Sequence, residues 1–143
     1  MKICLAGLML VLSLDVSHAA SWHEAYIWQR NWSDEVMAAM ERSSHRFHRF
    51  VLLGGEVDWV EGQPALTRVQ PPWPRVKKIV SSVGLALRIR NFSGEVEEPA
   101  ATEFLLETAR TMIDEVRAAG LQVAEFQIDY DCPESRLEQY EDW

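Results

Sequence analysis

Four times along this chain a short run of apolar and β-branched residues gives way to a stretch with helical spacing, and that alternation constrains the fold most. Strand, helix, strand, helix is the order of a parallel sheet joined by right-handed crossovers. The first strand is predicted over residues 24–29, around Ala25-Tyr26-Ile27-Trp28, residues that suit a pleated surface. Ser33 then offers a helix N-cap, with Asp34 and Glu35 in the positive first turn and Val36, Met37 and Met40 on one stripe, fraying near 43–45. The second strand, Phe50 to Val57, is nearly continuous apolar residue, as in a strand covered on both faces. Between Trp59 and Pro74, Glu61-Gly62 signals a turn and Pro71-Pro72-Trp73-Pro74 forbids regular helix, which predicts a loop or a small extra hairpin. Pro74 can open a short helix carrying Val76, Ile79 and Val80.

The third strand is predicted over Val83 to Arg90, followed by a loop at Asn91-Phe92-Ser93-Gly94. A long helix should run from Pro99 to Ala119, with Leu105, Ala109, Met112, Ile113 and Val116 at helical spacing and Gly120 as terminator. The fourth strand, Val123 to Tyr130, leads through Asp131-Cys132-Pro133 into a last helical stretch with Leu137, Tyr140 and Trp143 three apart. Two architectures fit these four strand-helix units: a partial, half TIM-type barrel with parallel strands, or a small open parallel sheet. The chain stops at Trp143 with no terminator, which favours truncation or a partner that supplies the rest. An open half-barrel would expose its fourth strand and lead to self-association through the open sheet edge.

The N-terminus has the charged, apolar, small-residue order of a secretion signal: Lys2, then Ile3 to Leu14, then Ser17-His18-Ala19-Ala20. The apolar run is shorter than the roughly 20 residues a bilayer span needs. Cleavage after Ala19 places small residues at both positions that require them, giving a signal peptide over 1–19 and a single α/β domain over 20–143. No later stretch is long enough for a membrane span, so a periplasmic or secreted protein is expected. The net charge of -8 argues against binding nucleic acid or anionic lipid. Only Cys132 survives processing, so no intramolecular disulfide can form and the fold must rest on its apolar core.

Alternation along each strand sends neighbouring side chains to opposite faces. On that basis Phe126, Ile128 and Tyr130 face the helices while Gln127, Asp129 and Asp131 face away, and Arg88 and Arg90 oppose Val83, Leu85, Leu87 and Ile89. Glu56 and Asp58 are placed on the face of Leu52 and Gly54, and Tyr26, Trp28 and Arg30 oppose Ala25 and Ile27. The polar residues gather toward the C-terminal strand ends, where ligands bind in parallel α/β folds. Asp131, Asp129 and Glu56 are the candidate catalytic carboxylates, and Trp28, Arg30, Arg88, Arg90 and Gln127 the candidate substrate contacts. Carboxylates can protonate or accept, arginines can hold hydroxyls, and Trp28 can stack on a pyranose face, so a carbohydrate ligand suits the set. Asp129 and Asp131 should have α-carbons roughly 6 to 7 Å apart, close enough to push their pKa values apart. A buried ladder of ion pairs, in which Arg88 and Arg90 simply neutralise the acids, is the competing account.

Phe126-Gln127-Ile128-Asp129-Tyr130-Asp131-Cys132-Pro133 resembles the fourth-strand motif of the chitinase-type barrel hydrolases, Phe-Asp-Leu-Asp-Trp-Glu-Tyr-Pro. The resemblance implies an acid at Asp131 and a helper at Asp129, with Gln127 standing where the family has aspartate and Asp131 where it has glutamate. More broadly, the stretches Ala25 to Arg30, Val83 to Arg90 and Gln127 to Tyr140 are similar to an uncharacterised family of secreted bacterial proteins with a glycosidase-like barrel organisation. That resemblance implies an exported glycoside-hydrolase-like protein; the alternative is a non-catalytic envelope protein that binds glycan or a protein partner. No metal or cofactor is called for. His45 and His48 beside Arg46 and Arg49 read as a solvated helix end, Cys132 as a passive thiol, and Gly54-Gly55 as close packing. Trp22, Trp32, Trp59, Trp73 and Trp143 are as well explained by core or cover as by sugar stacking.

Overall fold

The computed structural model describes residues 23–90 and 99–142. The stretch expected to be a secretion signal (1–19), Trp22, the loop at Asn91 to Gly94 and Trp143 lie outside these residues. The described chain is an α/β fold with one five-stranded sheet, open and mostly parallel. In order the elements are β1 (Glu24–Ile27), α1 (Asp34–Ser43), β2 (Arg49–Val60), β3 (Gln63–Arg68), α2 (Trp73–Ile79), β4 (Ser82–Arg90), α3 (Pro99–Ala118), β5 (Gln122–Tyr130), a 3-10 turn (Glu134–Arg136) and α4 (Leu137–Asp142). Ser33 caps α1 through its hydroxyl, which accepts from the Val36 N–H, as its sequence position predicts. Gly120, at φ +79, ends the α3 turn, and the Leu121 N–H reaches back to the Val116 carbonyl at 3.2 Å in the manner of a Schellman cap.

The sheet order is β1-β2-β4-β5, with each of these strands parallel to its neighbour. A sequential order wound in one direction keeps the connecting helices on one side, as in a segment of a barrel; a doubly wound sheet would reverse direction. The packing agrees. One apolar cluster joins Met37 and Met40 of α1, Val76 of α2 and Leu105, Met112 and Val116 of α3 to Phe50, Leu52, Leu85 and Leu87 of the strands. Full burial of side chains of this size stabilises by about 1.5–3 kcal/mol each.

Two features go beyond the strand-helix alternation: a hairpin, one of the two forms expected after Trp59, and a break in register. The stretch after Trp59 forms a true hairpin, so the sheet has a fifth, antiparallel strand. Glu61 and Gly62 both take positive φ, the backbone that a two-residue hairpin turn requires, and Val60 pairs with Gln63. Pro64 is tolerated there because β3 pairs only with β2. As a result β2 runs on to Val60, three residues beyond the predicted end, and β1 stops at Ile27, short of Gln29.

The break in register is a β-bulge, and it does depart from the sequence expectation. The register of β2 against β4 shifts between Leu53 and Gly55: Leu53 faces Ala86, but Gly55 faces Leu87. Two successive residues therefore point to the helix side, Gly54 against Met112 and Gly55 toward Leu66 and Leu87. Beyond the bulge the alternation is inverted. Glu56 and Asp58 share their face with Val51 and Leu53, not with Leu52 and Gly54 as strict alternation predicts, while Leu52 joins the helix-side core.

Candidate functional site

The sheet face away from the helices is built in cross-strand rows. Tyr26, Val51, Gly84 and Glu125 form one row by register, and Leu53, Ala86 and Gln127 form the next. Toward the C-terminal ends comes a charged row, Glu56, Arg88 and Asp129, with Asp58 paired to Arg90 beyond it. Val51, Leu53 and Ala86 are buried although they belong to this face, because longer side chains fold over them. Arg49 does so most visibly: its guanidinium bridges Glu24 of β1 at 3.0 Å and Glu125 of β5 at 2.9 Å. Gly84 lies under this bridge, and a β-carbon there would meet the Glu125 Oε1 at 2.9 Å and the Val51 Cγ2 at 3.0 Å.

Glu56 is the centre of the rim. Its carboxylate is 3% exposed and is held in a two-point pair by Arg30, Nε to Oε2 at 2.5 Å and Nη2 to Oε1 at 3.0 Å. Arg90 approaches the same Oε1 at 3.7 Å and also reaches Asp58 at 3.5 Å. Burial alone would push the Glu56 carboxyl up, but the Arg30 hydrogen bonds and the charges of Arg30, Arg90 and Arg88 outweigh it and hold the carboxyl below its ordinary range. The same contact raises the Arg30 guanidinium.

Arg88 connects the two aspartates. Its Nε lies 3.5 Å from Asp129 and its Nη2 lies 3.6 Å from Asp131, so both carboxylates converge on one cation. Asp131 is 89% exposed, and the burial that fits a carboxyl for general-acid work is absent around it. Gln127 sits one row below this rim and donates its amide to Glu125 at 2.9 Å, turned toward the Arg49 network. Trp28 stands at the rim, 41% exposed, stacked on Tyr26 with ring centroids 5.7 Å apart and planes 14° from parallel. Together with Arg30, Asn31, Leu53, Glu56 and Arg88 it lines a cleft of about 380 Å³.

The eight candidate residues lie on the bare face or at its rim, Glu56 because the bulge reverses the parity that strict alternation gives it, and seven gather at the strand ends. Three arginines stand against four carboxylates there, counting Asp58. A nearly balanced set of donors and acceptors beside an aromatic plate suits a neutral, hydroxyl-rich ligand better than a strong anion or cation. Sequence reasoning missed Tyr26 as half of the aromatic plate, and it missed Glu24, Arg49 and Glu125. Tyr26 had the right alternation and was passed over; the Arg49 network was hidden by the bulge, which changes which residues of β2 share a face with Glu56.

The chain matches no protein-family model, no curated protein and no solved structure. Among the described residues no cluster of three or more His, Cys, Asp or Glu is arranged to hold a metal ion, and no helix is long and apolar enough to cross a membrane.

Proposed function

We propose that this is an exported, glycosidase-like protein whose rim binds carbohydrate without hydrolysing it. The observation that carries the reading is the state of Glu56. It is the buried carboxylate of the cleft, and it is ionised and spoken for on both oxygens by arginine. A glycosidase acid must hold a proton and release it to the leaving oxygen, and a carboxylate pinned in this way serves better to fix Arg30 at the cleft wall. Trp28 then supplies the stacking plate, and Arg30 and Arg88 supply donors for hydroxyls. Export is supported by the order of charged, apolar and small residues at the N-terminus, with the periplasm or exterior as destination. Self-association through the open sheet edges belongs to the same reading, since unpaired strands present backbone donors and acceptors.

One observation favours hydrolysis. Asp129 and the largely exposed Asp131 converge on Arg88 at the rim, at 3.5 and 3.6 Å, which brings two carboxylates to one place where a glycosidic bond can be flanked. The experiment is calorimetric titration of the mature chain with a panel of neutral and N-acetylated oligosaccharides, run beside an assay for new reducing ends. Saturable binding is expected, weakened at least about tenfold by Trp28→Ala, or roughly 1.4 kcal/mol, with no reducing ends released. Absence of binding across the panel overturns the reading. Release of reducing ends that is lost on Asp131→Asn or Asp129→Asn replaces it with catalysis.

A further inference from the structure

The two outer strands of the parallel sheet are each paired on one side only among the described residues: β1 with β2, and β5 with β4. Both run in the same direction, and each has apolar surface open to solvent on or beside it. Ile128 of β5 is 37% exposed, although the alternation of β5 puts it on the helix side with Phe126 and Tyr130. At the opposite edge an apolar cleft of about 270 Å³ opens between β1 and α1, lined by Ala25, Ile27, Val36, Ala39 and Met40. Charge is complementary as well. The rim end of β5 offers Asp129 and the largely exposed Asp131, and the chain just past β1 offers Arg30, more than half exposed.

We infer that two copies of this chain close a barrel of eight parallel strands, four from each copy, with β5 of each laid beside β1 of the other. A two-fold axis along the barrel makes both junctions identical and leaves no parallel edge free, so the assembly stops at two. In each junction Ile128 enters the partner's cleft between β1 and α1, and Asp131 comes beside the partner's Arg30. Closure also completes the site: the two rims, each with its own Glu56 and Arg88, face one another across a single mouth, and the buried row of Val51, Leu53 and Ala86 becomes part of a filled barrel interior. The inference deepens the self-association expected of open edges and rests on that part of the functional reading, but it does not depend on what the rim binds.

Sedimentation velocity of the mature chain over a wide concentration range tests it. Twice the chain mass is expected, as a single closed species. Ile128→Glu and Ala39→Glu each place a carboxylate in the junction at an exposed position, so the isolated fold should keep its far-UV circular dichroism while the dimer dissociation constant rises at least tenfold. A single-chain mass at every concentration overturns self-association and closure together. Masses that climb without limit overturn closure alone, because they show edges adding in open succession. A dimer indifferent to both substitutions overturns the proposed junction.

Discussion

The covered and bare faces of this sheet are drawn from alternate residues of the same strands, yet they solve different problems. On the covered face, Leu52, Leu85, Leu87, Met112 and Val116 exclude water almost completely, and each contact is interchangeable with other hydrocarbon of similar shape. On the bare face a comparable depth of burial at Val51, Leu53 and Ala86 is achieved by folding long charged side chains over them. The difference separates stability from chemistry: the helices hold the fold, and the other face is left with arginines and carboxylates whose partners can be exchanged for a ligand's hydroxyls.

Large-to-small changes should break the comparison most forcefully. Leu85→Ala, beneath the helices, is expected to cost toward the upper part of the roughly 2–5 kcal/mol range, because the packed layer cannot collapse into the void. Leu53→Ala, beside the cleft, should fall toward the lower part, since Trp28 and its neighbours can settle into the space. Urea denaturation of the two variants measures the contrast, and equal costs would erase it.

Adding a methyl group reads the same difference from the other direction. Gly54→Ala drives into the Met112 side chain inside the core and should cost about 1–3 kcal/mol. Gly84→Ala presses on Glu125, whose part-exposed carboxylate can swing out at the expense of its Arg49 contact, and on the buried Val51 at a less severe 3.0 Å, so its cost should stay below that of Gly54→Ala, within about 1–2 kcal/mol.

The smallest expected effect is in pH dependence. A glutamate held below its ordinary range in the folded state binds fewer protons folded than unfolded. Its contribution is therefore complete above the unfolded value of about 4.3 and is lost as pH falls through the lower folded value. Glu56→Gln should flatten the fall of stability across that acidic window and leave the slope above it unchanged, as followed by chemical denaturation at a series of pH values. An unaltered acid slope would mean that Glu56 is not the anchored carboxylate described.

Much of the fold was legible because period and punctuation agree. The helix over 99–118 carries an apolar stripe and ends at a glycine that must take positive φ, and Ser33 stands where an N-cap is needed. The hairpin was legible only as an alternative, since its turn is Glu-Gly, and Pro64 argues against a strand anywhere but at an edge. The bulge at Gly54-Gly55 was not legible as such. Two glycines have no side chain to betray a break in alternation, so the parity of β2 was carried backward through them to the wrong face, and Arg49 was lost from view. Ahead of the bulge no such break intervenes, and Glu56, Arg88 and Asp129 were placed together correctly. Which acid would be buried was beyond the sequence: the motif drew attention to Asp131, whereas burial depends on Arg30 reaching across from the segment after β1.

The central claim is that the bare-face rim around Glu56 is the ligand site, and backbone and indole chemical-shift mapping with the tightest-binding oligosaccharide of the panel tests it most directly. The account predicts saturable shifts confined to the Trp28 indole and to the backbone near Arg30, Glu56, Arg88 and Asp129. Shifts centred instead on the helix-side cleft between Asp34 and Arg75, with the rim silent, would contradict it.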